Sequence, residues 1–262
     1  MFASTTTCVI FSSYLQYYTI DIQGFFMESK TSPKCHLCMS KPRRCQHPDS
    51  KAPIFCPTVN LEKITKEANA EFEKPEIRKF ATNAILQEAE GYGYRDIKPY
   101  LRHPIKSRVE EVCGFLQKMA YKKIGVAFCN GCSNEGRIFS KVLEAQGFEV
   151  VSACCKAGCS EKEILGITDD QKVKKNEFEV MCNPILQAKL LNAANTDFNV
   201  LLGLCVGHDS LFFKYSQAMT TVLFAKDRLL GHNPVAALHT IDTYYERLLM
   251  PGFTISKNEN GK

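Results

Sequence analysis

Four short apolar runs alternate with helical segments between residues 121 and 250, and this alternation constrains the fold more than any other feature. The helical segments show apolar residues at intervals of three and four, as over residues 134–146 and after Asn183-Pro184. Strands that alternate with helices pair in parallel, because each helix carries the chain back along the sheet. The pattern predicts an α/β fold with a Rossmann-like, doubly wound, mainly parallel sheet, built on KKIGVAFC (122–129), FEVVSACC (148–155), FNVLLGLC (198–205) and TTVLFAKD (220–227).

Helical periodicity also extends beyond this region. Residues 61–120 predict a helical connector with breaks at Pro75, Gly91–Gly93 and Pro104. A last helix is predicted to begin at Asn233-Pro234, since proline is favoured at the first helical position. Its expected buried stripe consists of Val235, Leu238, Ile241, Tyr245 and Leu248.

The composition changes along the chain predict five segments. Residues 27–60 are rich in Cys, Pro, Lys and Ser and have too little apolar periodicity to bury a core alone. Residues 1–26 have a different composition, without the basic start of a signal peptide, and are expected to be a disordered or non-native extension. The segments are 1–26 (extension), 27–60 (cysteine-rich metal-binding segment), 61–120 (helical connector), 121–250 (α/β domain) and 251–262 (tail).

The composition excludes several classes of protein. A net charge of +5 over 262 residues is too small to indicate a nucleic-acid partner or an anionic membrane. No uncharged apolar run of about 18 residues is present, so no membrane span is expected. Thirteen cysteines cannot all pair within one chain, and C-x-x-C pairs without an export signal are typical of metal ligands or redox thiols in a reducing, cytoplasmic compartment.

A first group of cysteines lies in the segment that lacks a core. Two thiolates three residues apart can bind one metal from a tight turn, and two more complete a four-thiolate site. The spacing C-x2-C-x6-C-x10-C ends in Cys-Pro, as ferredoxin-like iron–sulfur motifs do, which favours a 4Fe–4S cluster. Zinc is the alternative, with His36 and His47 as further possible ligands. The predicted metal ligands are Cys35, Cys38, Cys45 and Cys56.

A second group follows the ends of the predicted strands. In an open α/β sheet, ligands bind at the carboxyl ends of the strands, where the strand order reverses. Cys182 precedes a helix start, which lowers a thiol pKa. Cys113 and Cys8 are instead expected to be buried apolar residues, and one of the adjacent Cys154 and Cys155 is expected in the core. The predicted cofactor-binding set is Cys129, Cys132, Cys155, Cys159, Cys182 and Cys205.

Three polar residues near the strand ends are candidates for catalysis. His208 and Asp209 follow the third strand, and Lys226 follows the fourth. His208 is suited to ligating metal or transferring a proton, whereas Asp209 also suits a helix N-cap. Lys226 is suited to holding an anionic substrate or offsetting the charge of a cluster. No G-x-S-x-G elbow, G-x-G-x-x-G loop or P-loop is present, so hydrolase and nucleotide-binding interpretations are weak.

Several of these motifs together resemble a known family. FCNGCSNEGR, VVSACCKAGC, LLGLCVGHDSLF and KDRLLGHNP, with the Cys35–Cys56 set, are similar to the family called domain of unknown function 1847. The resemblance covers roughly residues 33–250 and departs from the family pattern at Ala218-Met219, where Ala-Pro is expected. It implies a cytoplasmic, anaerobe-associated metal or iron–sulfur protein and assigns no catalytic residue.

These observations favour one function and leave two alternatives. The first is an iron–sulfur protein with a redox or sulfur-handling role at the strand-end thiolates, acting on an electron-transfer protein or a small-molecule substrate. The second is a zinc or soft-metal sensor or carrier without catalysis. The third is a thiol enzyme that uses Cys182 or Cys132. Whether the protein is an enzyme is left open by the sequence.

Overall fold

The computed structural model of the protein describes residues 32–252. The predicted extension 1–26, Cys8 within it and most of the predicted tail lie outside the described residues. The chain divides into two compact units, Met1–Thr82 and Asn83–Lys262. Among residues 32–252, no helix combines the length and the apolar character needed to cross a membrane.

The described part of the first unit is almost without a buried interior. Among residues 32–82, Cys56 is the only one that is buried. The predicted break at Pro75 is confirmed, because one helix ends at Glu71 and the next begins at Pro75. Proline is accommodated there because the first helical position needs no N–H. The elements are a 3₁₀ turn at Cys35–Leu37, α1 (Pro57–Asn60), α2 (Glu62–Glu71) and α3 (Pro75–Glu90), which runs on into the second unit.

A four-stranded parallel sheet forms the centre of the second unit and confirms the predicted α/β class. Along the chain its strands are β3 (Lys123–Phe128), β4 (Glu149–Cys154), β5 (Phe198–Leu202) and β6 (Thr220–Phe224). They lie side by side in the order β4-β3-β5-β6. The chain therefore moves from β3 to one side and then returns to the other side of β3, and the strand order reverses between β3 and β5.

The register of the sheet brings the strand ends level. Phe128, at the end of β3, pairs with Cys154 of β4 on one side and with Leu202 of β5 on the other. The next amide, that of Cys129, donates to the Leu202 carbonyl at 3.1 Å. The residues that follow β3, β4 and β5 therefore leave the sheet side by side.

Helices cover the sheet and supply most of its apolar contacts. A capping box between Ser107 and Glu110 starts the first of them. Every residue of β5 is buried, and Leu116, Leu143 and Leu191 pack around the sheet without solvent exposure. The helices of the second unit are α4 (Arg108–Met119), α5 (Ser133–Ala145), α6 (Pro184–Ala193), α7 (His208–Tyr215) and α8 (Val235–His239), with a small antiparallel pair β1 (Tyr92–Gly93) and β2 (His103–Pro104) ahead of them.

The predicted last helix is wrong in its length and in its buried stripe. α8 ends at His239, and Val235, Leu238 and Leu248 are 47%, 66% and 45% exposed. The Thr240 hydroxyl donates to the Ala236 carbonyl at 2.8 Å, and the chain then leaves the helical conformation. Threonine hydroxyls that bond to nearby carbonyls compete with continued helix, and apolar spacing alone does not register that competition.

Candidate functional site

The first cysteine group surrounds one small cavity. Its volume is about 100 Å³, and all four predicted metal ligands line it together with Arg43, Arg44, Pro53 and Phe55. Cys56 is buried and Cys38 half-buried, whereas Cys35 and Cys45 are exposed. The structure therefore places the four thiols around a common space in the first unit.

The local backbone explains part of this arrangement. The 3₁₀ turn at Cys35–Leu37 is closed by the Cys38 amide, which donates to the Cys35 carbonyl at 3.1 Å. His36 and His47 are exposed and do not line the cavity. Within residues 32–252, no three His, Cys, Asp or Glu side chains stand together in an arrangement that would ligate a single metal ion.

The second cysteine group lies at the carboxyl edge of the parallel sheet. Cys129 follows β3, and a 3₁₀ turn over Asn130–Cys132 leads directly into α5. The Lys226 ammonium donates to Cys132 Sγ at 3.2 Å and also hydrogen-bonds to Cys129. Burial opposes its charge, but these sulfur contacts leave the pKa of Lys226 above its ordinary value, so the side chain is a cation.

Cys132 is enclosed on several sides. It is fully buried, and burial raises the pKa of its thiol although Lys226 opposes the shift. His232 faces the same sulfur, with Nε2 at 3.7 Å from Cys132 Sγ. The Asp227 amide donates to His232 Nδ1 at 3.0 Å, which places the proton of a neutral imidazole on Nε2, toward the sulfur. Gly203 completes the enclosure, because a Cβ there would lie 2.6 Å from Cys132 Sγ.

Cys155 and Cys182 form a second contact at the same edge. Their side chains hydrogen-bond to each other, which raises the pKa of Cys155 and lowers that of Cys182. Burial also raises the pKa of Cys155, while the positive charge of Lys156 helps to lower that of Cys182. The two shifts run in opposite directions, so Cys182 is the member of the pair that loses its proton first.

The remaining thiols differ in their surroundings. Arg228 Nη2 donates to Cys205 Sγ at 3.0 Å, while burial raises the pKa of that thiol. Cys154 is half-buried and points to Asn130 Oδ1 at 3.7 Å, whereas Cys155 is in the core, as strand alternation predicts for one of the two. Cys159 is exposed. The structure thus brings together Cys129, Cys132, Cys155, Cys182 and Cys205, but it leaves Cys159 at the surface.

The three polar candidates occupy different positions. Lys226 lies beside Cys132, to which its ammonium donates. His208 begins α7, and a positive charge on its ring would help to lower the pKa of Cys182. The Asp209 carboxylate accepts from the Ser210 amide at 2.8 Å, a local contact within the first turn of the helix. Cys113 is buried in α4, which confirms its predicted place in the core.

One buried residue that supports the strand ends at the site was not predicted from the sequence. Gln187 on α6 is fully buried, and its Nε2 donates to the carbonyls of Phe128 at 3.2 Å and Ala153 at 2.7 Å. These carbonyls directly precede Cys129 and Cys154, so Gln187 fixes the ends of β3 and β4 against each other. The feature of the sequence that could have indicated this role is a glutamine on an otherwise apolar helix face.

The basic character of the site was only partly visible in the sequence. Lys156 follows the Cys154-Cys155 pair directly, and its ammonium bonds to the Val180 carbonyl beside Cys182. His232 reaches Cys132 from 100 positions further along the chain. No local pattern predicts such a contact, because it depends on the loop that follows β6.

Together these features define a cysteine-rich α/β protein with thiols and cations at the carboxyl edge of a parallel sheet. Residues 56–223 match the family described as protein of unknown function DUF1847, and the chain belongs to that family. An uncharacterized protein of Methanocaldococcus jannaschii is 41% identical over 187 residues, which cover 71% of this chain and 92% of the relative. No solved structure matches the chain.

Proposed function

We propose that this protein is an iron–sulfur redox protein that also uses thiol chemistry at the edge of its sheet. The observation that carries the proposal is the cavity of about 100 Å³ around Cys35, Cys38, Cys45 and Cys56. A 4Fe–4S cluster bound there would supply one-electron transfer. The four thiolates would hold it, while Pro53 and Phe55 keep water from part of its surface.

The size of the cavity favours a cluster over a single zinc ion. Four thiolates around one zinc, each about 2.3 Å from it, bring their sulfurs to within about 3.8 Å of one another and leave no cavity between them. A space that admits one water needs only about 10–15 Å³. The volume here is several times larger, which suits a group of several atoms.

The positive charge around the cavity also favours an iron–sulfur cluster as the ligand. Four thiolates with iron and sulfide carry net negative charge, which a low-polarity site holds only when it is offset. The described residues that line the cavity bring the guanidinium groups of Arg43 and Arg44 and no carboxylate. The charge of the lining therefore supports the proposal of an anionic cluster.

The strand-end thiols supply the second half of the proposal. Lys226 and Arg228 donate directly to Cys132 and Cys205, so thiolates formed there have their charge balanced by protein cations. We propose that the sheet is Rossmann-like and doubly wound, which would make this edge its binding site at the reversal between β3 and β5. Such a site suits redox or sulfur-handling chemistry on a small substrate.

Single Cys→Ser variants test the location of the cluster. Cys35→Ser, Cys38→Ser, Cys45→Ser and Cys56→Ser are each expected to lose more than half of the bound iron and sulfide, because each removes one of four thiolate ligands. Cys159→Ser, which changes an exposed cysteine outside the cavity, is the matched control and should keep both. Iron and sulfide content of anaerobically purified protein is the measurement. Unchanged content in all four variants would contradict the proposed location.

A further inference from the structure

We infer that Cys129 and Cys132 form a redox-active dithiol that reduces small disulfides, with Lys226 as the shared cation. The inference rests on the proposed thiol role of the sheet edge but not on the cluster in the first unit. Its basis is the asymmetric pair of sulfurs that one ammonium contacts at the start of a helix.

The backbone holds the two cysteines at a distance that a disulfide can bridge. The Cys132 amide donates to the Cys129 carbonyl at 2.7 Å, which closes the turn Asn130–Cys132. A hydrogen-bonded turn of this kind keeps the first and fourth Cα atoms within about 7 Å, and disulfides span about 4.4–6.8 Å between Cα atoms. Lys226 Nζ lies 3.2 Å from Cys132 Sγ, and both this ammonium and Cys129 Sγ lie within 4.0 Å of the place that a Cβ of Gly131 would take, so both sulfurs face the same space.

The two sulfurs differ in access, as an attacking and a resolving thiol must. Cys129 is half-buried, whereas Cys132 is fully buried. Gly131 lies between them, and a Cβ at that position would come within 3.2 Å of Lys226 Nζ and 4.0 Å of Cys129 Sγ. The absence of a side chain there leaves room for Lys226 to reach both sulfurs beside the more accessible thiol.

The surroundings of Cys132 match the needs of a resolving thiol. Lys226 Nζ at 3.2 Å and His232 Nε2 at 3.7 Å both present N–H groups to its sulfur. It also precedes the first residue of α5, a helix of 13 residues whose amino end favours negative charge. Burial disfavours a thiolate at this position and raises the pKa of Cys132, and these three groups oppose that cost.

The chemistry balances without a further oxidant. The Cys129 thiolate attacks one sulfur of a disulfide RSSR, the substrate S–S bond breaks, and a thiolate RS⁻ leaves. Cys132 then attacks Cys129 Sγ, the mixed disulfide breaks, and the second RS⁻ leaves. The thiol protons of the pair end on the two departing thiolates, with Lys226 able to pass them. One dithiol and one disulfide thus become one intramolecular disulfide and two RSH.

Peptide mapping in glutathione redox buffers tests this inference on the full chain. Trypsin releases residues 124–137 as one peptide that carries Cys129 and Cys132 and no other cysteine. As the proportion of glutathione disulfide rises, this peptide should change in one step from doubly alkylated to internally bridged. The peptide 157–162 carries only Cys159 and cannot bridge internally, so the glutathione that it takes up reports the reaction of an ordinary exposed thiol in the same samples.

Three variants separate the roles of the residues. Cys132→Ser should accumulate glutathione on Cys129, because nothing resolves the mixed disulfide. Lys226→Gln should slow bridging by about tenfold or more, the effect expected from losing one charge-assisted hydrogen bond, and Lys226→Arg should restore most of the rate. If Cys132→Ser fails to fold, the wild-type titration still decides the question.

Three results would overturn the inference. In the first, peptide 124–137 stays doubly alkylated in every buffer. In the second, Cys129 is found linked to peptide 142–156, which carries Cys154 and Cys155. In the third, Cys129→Ser lowers the iron content, which would make Cys129 a cluster ligand. Iron measured in the same samples tests the cluster in the first unit separately, since loss of that cluster leaves the bridging of Cys129 and Cys132 unaffected.

Discussion

Gly203→Ala is expected to lower the free energy of unfolding by about 3 kcal/mol, and two costs combine in that value. Gly203 has φ +60°, a conformation that costs a residue with a Cβ about 1–2 kcal/mol. The new methyl group would also stand 2.6 Å from Cys132 Sγ and 2.8 Å from the Phe224 ring, and overpacking of this kind typically costs about 1–3 kcal/mol. Urea unfolding followed by circular dichroism measures the change.

Gly147→Ala is the matched control for this substitution. Gly147 also has positive φ, at +85°, but a Cβ there would meet nothing within 4 Å. Its replacement should cost only the backbone part, about 1–2 kcal/mol. If the two variants are destabilised equally, Cys132 is not packed against Gly203 as described, and the enclosure of the buried thiol is contradicted.

Removal of metal is expected to unfold the cysteine-rich segment and to leave the sheet intact. Chelation under anaerobic, reducing conditions should increase amide hydrogen exchange by about 100-fold or more across residues 35–60. The reason is that Cys56 is the only buried residue among residues 32–82, so no apolar core remains to hold the segment once its ligand is gone. Segments that fold around a metal lose their structure with it.

The amides of β5 are the internal control for this experiment. Phe198–Leu202 are all buried at the centre of the parallel sheet, and their exchange should not change on chelation. Equal protection of residues 35–60 with and without metal would show that the segment is ordered by other means. It would then contradict a structural role for metal at the four-cysteine cavity.

The sequence predicted the sheet and the strand-end thiols because both depend on local patterns. Apolar runs of strand length that end in cysteine become β3, β4 and β5, and parallel pairing makes them end together, as Phe128 opposite Cys154 and Leu202 shows. The alternation of a strand likewise separates Cys154 from Cys155. These features follow from the spacing of apolar residues in the sequence and from the alternation of side chains along a pleated strand.

The rest of the site depends on contacts between distant parts of the chain. His232 meets Cys132 through a loop that no periodicity describes, and Arg228 reaches Cys205 from the same loop. The last predicted helix failed for a related reason. Its apolar spacing was helical, but the helix ends at His239, where the Thr240 hydroxyl bonds to the Ala236 carbonyl, and Leu238 within it is exposed. The spacing of apolar residues indicates which side chains would share one face of a helix. It does not indicate where the helix ends.

Metal analysis of anaerobically purified wild-type protein tests whether the four-cysteine cavity holds an iron–sulfur cluster. Iron, acid-labile sulfide and zinc are measured per chain beside the visible spectrum. We expect coloured protein with about four iron and about four sulfide per chain. Colourless protein with about one zinc and no sulfide would contradict it and would favour a zinc sensor or carrier instead.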